Sequence, residues 1–392
     1  MSPRRLFLAS CIALIATAMS FAIRGDIMGN FETALGLSKT ELGWISGAAF
    51  WGFGFSILFG GALCDLLGIG KLLKAAAIGH IFGVLLTIVA SDFLQLFAAT
   101  VIIGIANGLV EAAINPLVAT LYPDRKASKL IALHAWFPGG IVIGGVFAFV
   151  FTEIGSGWQM KMLLMLVPAV MYGVMFLGQE FPTPEQEGAG HRFADRIRAL
   201  AHPLFLVLFA CMWLTAATEL GPGQWVSNIF NEVMHSRAQA GVLVLVWING
   251  IVWLLRQFGA PLARRFAPLS LIACTAPLAA SGLWLFAQAQ SAGIAFAAAA
   301  LLAVGTAFWW PTMLGITAER FPRGGALALG LMGSAGSFAT AIAGPVMGWI
   351  NDAYGPARVL PIWAAIPALL TGVFAVLLWI DCHQARHIAR IA

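Results

Sequence analysis

The chain has 392 residues, of which 60% are hydrophobic and only 10% charged, and its formal net charge is +5. A water-soluble domain carries about 25% charged residues, so this balance excludes an ordinary soluble protein and describes an all-α integral membrane protein. The basic excess lies in short loops between apolar runs and forms no patch, which excludes a nucleic-acid partner and leaves an orientation signal in a lipid bilayer.

At about 20 residues per spanning helix, the length holds roughly a dozen spans. Apolar periodicity and loop signals predict them at residues 6–28, 42–62, 72–90, 93–121, 129–152, 159–178, 203–223, 239–258, 268–288, 292–318, 325–349 and 357–380. The start carries Arg4 and Arg5 before an apolar run, as a signal peptide does. That run is longer than a signal peptide's apolar core, and it reads as the first span. Arg24 and Asp26 stand near its external end, and two residues of separation point them about 200° apart on a helix. Gly25 and Gly29 allow a local break that turns Asp26 inward.

The fourth span carries the strongest signal. Asn107, Glu111 and Asn115 recur at every fourth position, so on a helix they form one polar stripe with the carboxylate in its middle. An ionisable residue at membrane depth costs at least roughly 2.5 kcal/mol, so such residues face a bundle interior or a water-filled cavity. Glu111 is either a proton carrier or half of a static pair with Arg24 or His134. The fifth span opens with His134, Trp136, Phe137 and Pro138, followed by glycine pairs that permit close helix approach. His134 there relays protons or hydrogen-bonds to a neighbouring helix.

Gln179 to His202 is the one long polar stretch, and it divides the chain into an N-terminal six-helix bundle (1–178), a cytoplasmic loop (179–202) and a C-terminal six-helix bundle (203–392). The seventh span ends in TAATELGPGQW (215–225), which supplies Glu219, Gln224 and Trp225, with GPG as a helix break of the kind that carries substrate contacts. The eighth span adds Asn249. The tenth adds Trp309, Trp310 and Thr312 around Pro311, but no acid before Glu319. Indole faces mixed with amides and carboxylates suit a small polyol, and the candidate solute-binding set is Asn107, Asn115, His134, Glu219, Gln224, Trp225, Asn249 and Trp310.

The five cysteines are scattered, with no CxxC and no metal-ligand spacing, and read as packing residues. Neither a metal nor any cofactor is expected. H-E-x-x-H, G-x-S-x-G and P-loop patterns are missing, so an enzyme is not expected. With the N-terminus inside, 17 of the 22 Lys and Arg fall on the cytoplasmic side, and Arg24, Lys39, Lys161, Arg237 and Arg358 fall outside. Both termini are therefore expected in the cytoplasm, in a bacterial inner membrane. An internal repeat relates residues 61–68 to 259–266 at an offset of 198, and Pro123 to Pro322 at 199. Two six-span halves related this way place a solute site at the midplane between them.

GALCDLLGIGK (61–71) resembles the loop signature of the major facilitator superfamily, with Gly61, Leu63, Asp65 and Gly68 in place and Leu66 where an Arg is usual. GLVEAAINPLVATLYPD (108–124) is similar to the E-x-A-x-N-P signature of the fucose, galactose and glucose proton symporters, and Gly25-Asp26-Ile27 stands at the place of their N-D-I-like motif. The resemblance implies a major facilitator fold, a monomer, and proton-coupled transport of a small polar solute such as a sugar by alternating access. It assigns proton coupling to Glu111 and Asp26, and conformational gating to Gly61, Asp65 and Gly68. The alternative within transport is a proton-driven antiporter exporting drugs or amphiphilic compounds.

Overall fold

In hydrocarbon every backbone N–H and C=O must find its partner within the chain, which leaves the helix as the form these apolar stretches take. The computed structural model describes residues 2–182, 198, 200–233, 240–258 and 265–391. Among the described residues twelve helices are long and apolar enough to cross a membrane: Pro3–Leu35, Lys39–Gly60, Ile69–Val89, Phe93–Leu121, Lys129–Glu153, Trp158–Phe176, Pro203–Glu232, Gly241–Phe258, Pro268–Ala287, Ala292–Arg320, Leu327–Tyr354 and Pro356–His383. They are called here the first to the twelfth span. Most of the polar stretch between the sixth and seventh lies outside the described residues.

Two expected breaks are absent. The first span is one helix of 33 residues, continuous through Gly25 and Gly29. The seventh runs as one helix from Pro203 to Val233, with Pro222 of the GPG motif inside it. The glycines serve close packing instead: a Cβ on Gly25 would sit 3.7 Å from the Gln224 carbonyl oxygen, so the first span lies directly against the seventh at the GPG motif.

Breaks occur elsewhere, under one rule. Helices are interrupted at Ala135, Met165, Ala307–Phe308 and Ala364, each three residues before a proline: Pro138, Pro168, Pro311 and Pro367. The proline ring displaces the carbonyl four residues back and offers it no N–H. Pro168 and Pro367 are 199 residues apart, the offset that also relates the short 3-10 turns Pro123–Arg125 and Pro322–Gly324. The half-repeat thus recurs in where the spans bend, while the breaks at Pro138 and Pro311 belong to one half each.

The halves meet most closely along the second and eleventh spans. Gly43 and Gly47 on one, and Gly344 and Gly348 on the other, form two facing G-x-x-x-G motifs. A Cβ on Gly47 would lie 2.3 Å from the Ala341 carbonyl oxygen, so the backbones touch with no room for a side chain. After the second span Gly68 turns the chain with φ 82°, which other residues adopt only under strain, and its N–H closes the helix on the Cys64 carbonyl. Gly61 and Asp65 stand on the second helix, but their side-chain surroundings lie outside the described residues.

Candidate functional site

A cavity of about 760 Å³ lies between the two halves. Spans one, two, four and five wall it on one side, and spans seven to eleven on the other. Seven of the predicted site residues line it: Glu111, Asn115, His134, Glu219, Gln224, Asn249 and Trp310. Asn107, Trp225 and Asp26 do not.

On the N-terminal side the polar groups form a triangle. Asn115 Nδ2 donates to Glu111 Oε1 at 3.5 Å, and His134 Nδ1 lies 3.6 Å from the same oxygen. His134 Nε2 meets Asn115 Oδ1 at 2.9 Å. An amide oxygen only accepts, so Nε2 carries the hydrogen and Nδ1 is the nitrogen turned to Glu111. Both side chains line the cavity. The Glu111 side chain is 17% exposed and that of His134 43%. Glu111's neighbour in the structure is thus His134, whereas Arg24 faces elsewhere.

Asn107 is two steps of four residues from Asn115, and each step rotates the helix by about 40°, so the stripe winds out of the cavity. Asn107 is fully buried. Its Oδ1 accepts from His80 Nε2 at 2.8 Å, its Nδ2 donates to Ser20 Oγ at 2.9 Å, and His80 Nδ1 meets the Tyr172 hydroxyl at 2.8 Å. This chain ties the first, third, fourth and sixth spans together. Asn107, expected among the solute contacts, is therefore packed beneath the cavity and does not line it. His80 gave no sequence signal beyond being a histidine in an apolar run.

On the C-terminal side Glu219 Oε1 accepts from Arg256 Nη2 at 2.8 Å, and Arg256 Nε donates to the Ala307 carbonyl at 2.7 Å. Gln224 Oε1 accepts from Arg24 Nη2 and from Ser46 Oγ, each at 3.3 Å, so one amide joins the first and second spans to the seventh. The Arg24 guanidinium also lies 5.0 Å from the Phe21 ring centre, and Phe21 stacks on Phe50 in the cavity wall. Asn249, in the cavity lining, donates through Nδ2 to the Leu245 carbonyl at 3.0 Å. Trp225, also expected among the solute contacts, has no exposed surface and does not line the cavity that Gln224 lines.

Asp26 is held by Lys161 at 2.5 Å, with side chains 5% and 6% exposed. The first span extends to Leu35, nine residues past Asp26, so this is a buried pair inside the N-terminal half and not an interfacial one. Lys161 and Arg24, counted above on the external side, and Arg256, counted on the cytoplasmic side, each have the charged group turned into the protein.

The cavity extends toward Ile131, Phe266, Pro268 and Leu271, at the ends of spans expected on the cytoplasmic side. The opposite end is tied shut across the halves. Asp352, at the end of the eleventh span, accepts from the backbone N–H groups of Lys39 (3.1 Å) and Thr40 (2.7 Å) and from the Thr40 hydroxyl (2.5 Å). Lys39 Nζ bonds Glu32 of its own half at 2.6 Å, and Asn228 and Glu232 of the other. Among the described residues no group of three His, Cys, Asp or Glu is placed to hold a metal ion.

A family model described as Major Facilitator Superfamily matches residues 6–324. Over 171 residues the chain is 24% identical to the Myo-inositol transporter 1 of Candida albicans; the match covers 43% of this chain and 28% of that protein, less than a third of that relative's length. The fold is similar to that of the nucleoside transporter NupG in a point-mutant form, with a TM-score of 0.80 at 12% identity over 95% of this chain and 99% of that one. It is also similar to the xylose transporter XylE from E. coli in a partially occluded inward open conformation, with a TM-score of 0.79 at 12% identity over 96% and 97% of the two chains.

Proposed function

Because the chain belongs to the Major Facilitator Superfamily, and is a membrane transporter and not an enzyme, we propose that it carries a small neutral polyol, a sugar or sugar-like solute, by proton-coupled alternating access. The single observation that carries this reading is the cavity between the halves, with Glu111, Asn115 and His134 facing Gln224, Asn249 and Trp310 across an aromatic wall. Amides and a carboxylate match hydroxyl groups, and the Trp310 indole and the Phe21 and Phe50 rings match the C–H face of a ring. The inositol, xylose and nucleoside named for the relatives are of this class, and they give export of amphiphiles no support.

In this reading Glu111 takes a proton from the open side, with His134 Nδ1 as its relay, and solute hydroxyls replace the Asn115 contact. Asp26 is the second carboxylate of the coupling pathway, held by Lys161 while the external end is shut. Residues 1–178 and 203–392 rock as two bodies about the cavity, joined by 179–202, with Gly61 and Asp65 at the end of the second helix and Gly68 at the turn after it acting as the gating segment. The termini, the linking loop and the open mouth face the cytoplasm of a bacterial cell. With Arg24, Lys161 and Arg256 taken out of the loop count, Lys39, Arg237 and Arg358 are the cations left on the external side, which sharpens this orientation. The working unit is a monomer.

Uptake into proteoliposomes tests the proposal, with D-xylose, myo-inositol and uridine as probes at matched and unmatched pH. Saturable uptake of at least one probe, accelerated by a proton gradient directed toward the side of accumulation, is the expected result. Absence of uptake and of exchange for all three, by protein that remains folded, contradicts the polyol reading.

A further inference from the structure

A break in a spanning helix leaves the last carbonyls of one half-helix and the first N–H groups of the next without helical partners. In the tenth span the break separates Ala292–Thr306 from Trp309–Arg320, and Pro311 has no N–H to offer the Ala307 carbonyl. Arg256 reaches that carbonyl from the eighth span, its Nε donating at 2.7 Å, while its Nη2 donates to Glu219 of the seventh span at 2.8 Å. The Glu219 carboxylate lies beside the backbone of Trp310, in the first turn of the second half-helix, and its Oε2 is buried without a hydrogen-bond partner among the described residues. A cation thus stands at the carbonyl end of one half-helix and an anion at the N–H end of the other, the placement that both helix dipoles favour. Glu219, Arg256 and Trp310 all line the cavity.

We propose that Arg256 and Glu219 form a two-sided cap that holds the tenth-span break open and so positions Trp310 and Thr312 against the solute. The inference rests on the transport reading for what Trp310 meets, and not for the cap itself. Arg256 is in this account a positioning residue: it acts on the solute through the half-helix it fixes. An ordinary ion pair joining the seventh and eighth spans needs only opposite charges. A cap needs each charge at its own end of the break.

The test uses the full chain with the exposed Cys274 and Cys382 changed to Ser, and Thr312→Cys as a reporter whose rate of labelling by a water-soluble maleimide is measured beside the melting temperature. Arg256→Gln changes the labelling rate by about tenfold, the effect of losing a charged hydrogen bond of about 1.4 kcal/mol. Pro311→Ala gives the Ala307 carbonyl an N–H of its own, so in that background Arg256→Gln changes the rate by less than about twofold. The exchanged pair Glu219→Arg with Arg256→Glu does not restore the rate, because each charge then faces the wrong end of the break. Arg256→Lys, which keeps the charge but not the two-headed guanidinium, replaces Arg256→Gln in both backgrounds if the latter does not fold. Equal effects of the Arg256 change in both backgrounds, or full rescue by the exchanged pair, overturn the cap. If labelling follows the cap while no polyol is carried, the polyol reading falls and the cap stands.

Discussion

Asp352→Asn is the change whose effect follows most directly from the end of the cavity that is tied shut. Asp352 belongs to the C-terminal half, yet it caps the second helix of the N-terminal half, bonding Lys39 N, Thr40 N and Thr40 Oγ1. Asparagine keeps one acceptor, places an NH2 group against the donors and removes the charge from a helix N-terminus. The dipole term is about 0.3–1 kcal/mol, and a hydrogen bond to a charged group contributes about 1.5–3 kcal/mol against 0.5–1.5 for a neutral one. Together these give a loss of about 2 kcal/mol. The bonds join the two halves only while this end is shut, so the loss appears as a population shift of about 30-fold toward the open state. Spin labels at Ala34→Cys and Tyr354→Cys, both exposed and one on each half, read that shift as growth of the longer-distance population relative to the shorter. An unchanged distance distribution in protein that melts like the parent refutes the reasoning.

Gly47→Val shifts the same distances in the same direction, because its Cβ would lie 2.3 Å from the Ala341 carbonyl oxygen and overpacking of this kind costs about 1–3 kcal/mol. Asp26→Asn leaves the Lys161 ammonium buried without its partner and lowers stability by about 3–5 kcal/mol, and Asp26→Asn with Lys161→Met recovers much of it, both read from thermal melts in detergent. Asn107→Leu takes the acceptor from His80 Nε2 and a donor from Ser20 Oγ and destabilises by about 1–3 kcal/mol, with the KM for solute unchanged because Asn107 stays out of the cavity. A raised KM in that variant contradicts the separation of Asn107 from the site.

The fold was legible because its signals are one-dimensional. Spans are counted from apolar length, and the half-repeat from Pro123 and Pro322. Glu111 and Asn115 were legible for the same reason, since a polar residue at membrane depth stands out against its neighbours. Which way a polar residue turns was not legible: the stripe predicts one face, but the 40° drift per step carries Asn107 into the His80 and Tyr172 chain. The inward turn of Arg256, Lys161 and Arg24 was not legible either, because a cation near the end of an apolar run reads alike whether it snorkels to water or turns inward. The breaks show the same limit. GPG looked like the stronger interruption, yet the helix passes through it, and the single prolines at 138 and 311 interrupt the spans that wall the cavity.

Proton coupling through Glu111 is the central claim, and Glu111→Gln tests it most directly when one solute's gradient-driven uptake and its counterflow are measured on the same proteoliposomes. The carboxamide keeps an acceptor beside Asn115 and His134 but carries no exchangeable carboxyl proton. The account predicts that counterflow persists while the response to the pH gradient is lost. Gradient-driven accumulation by Glu111→Gln at the parent rate contradicts it.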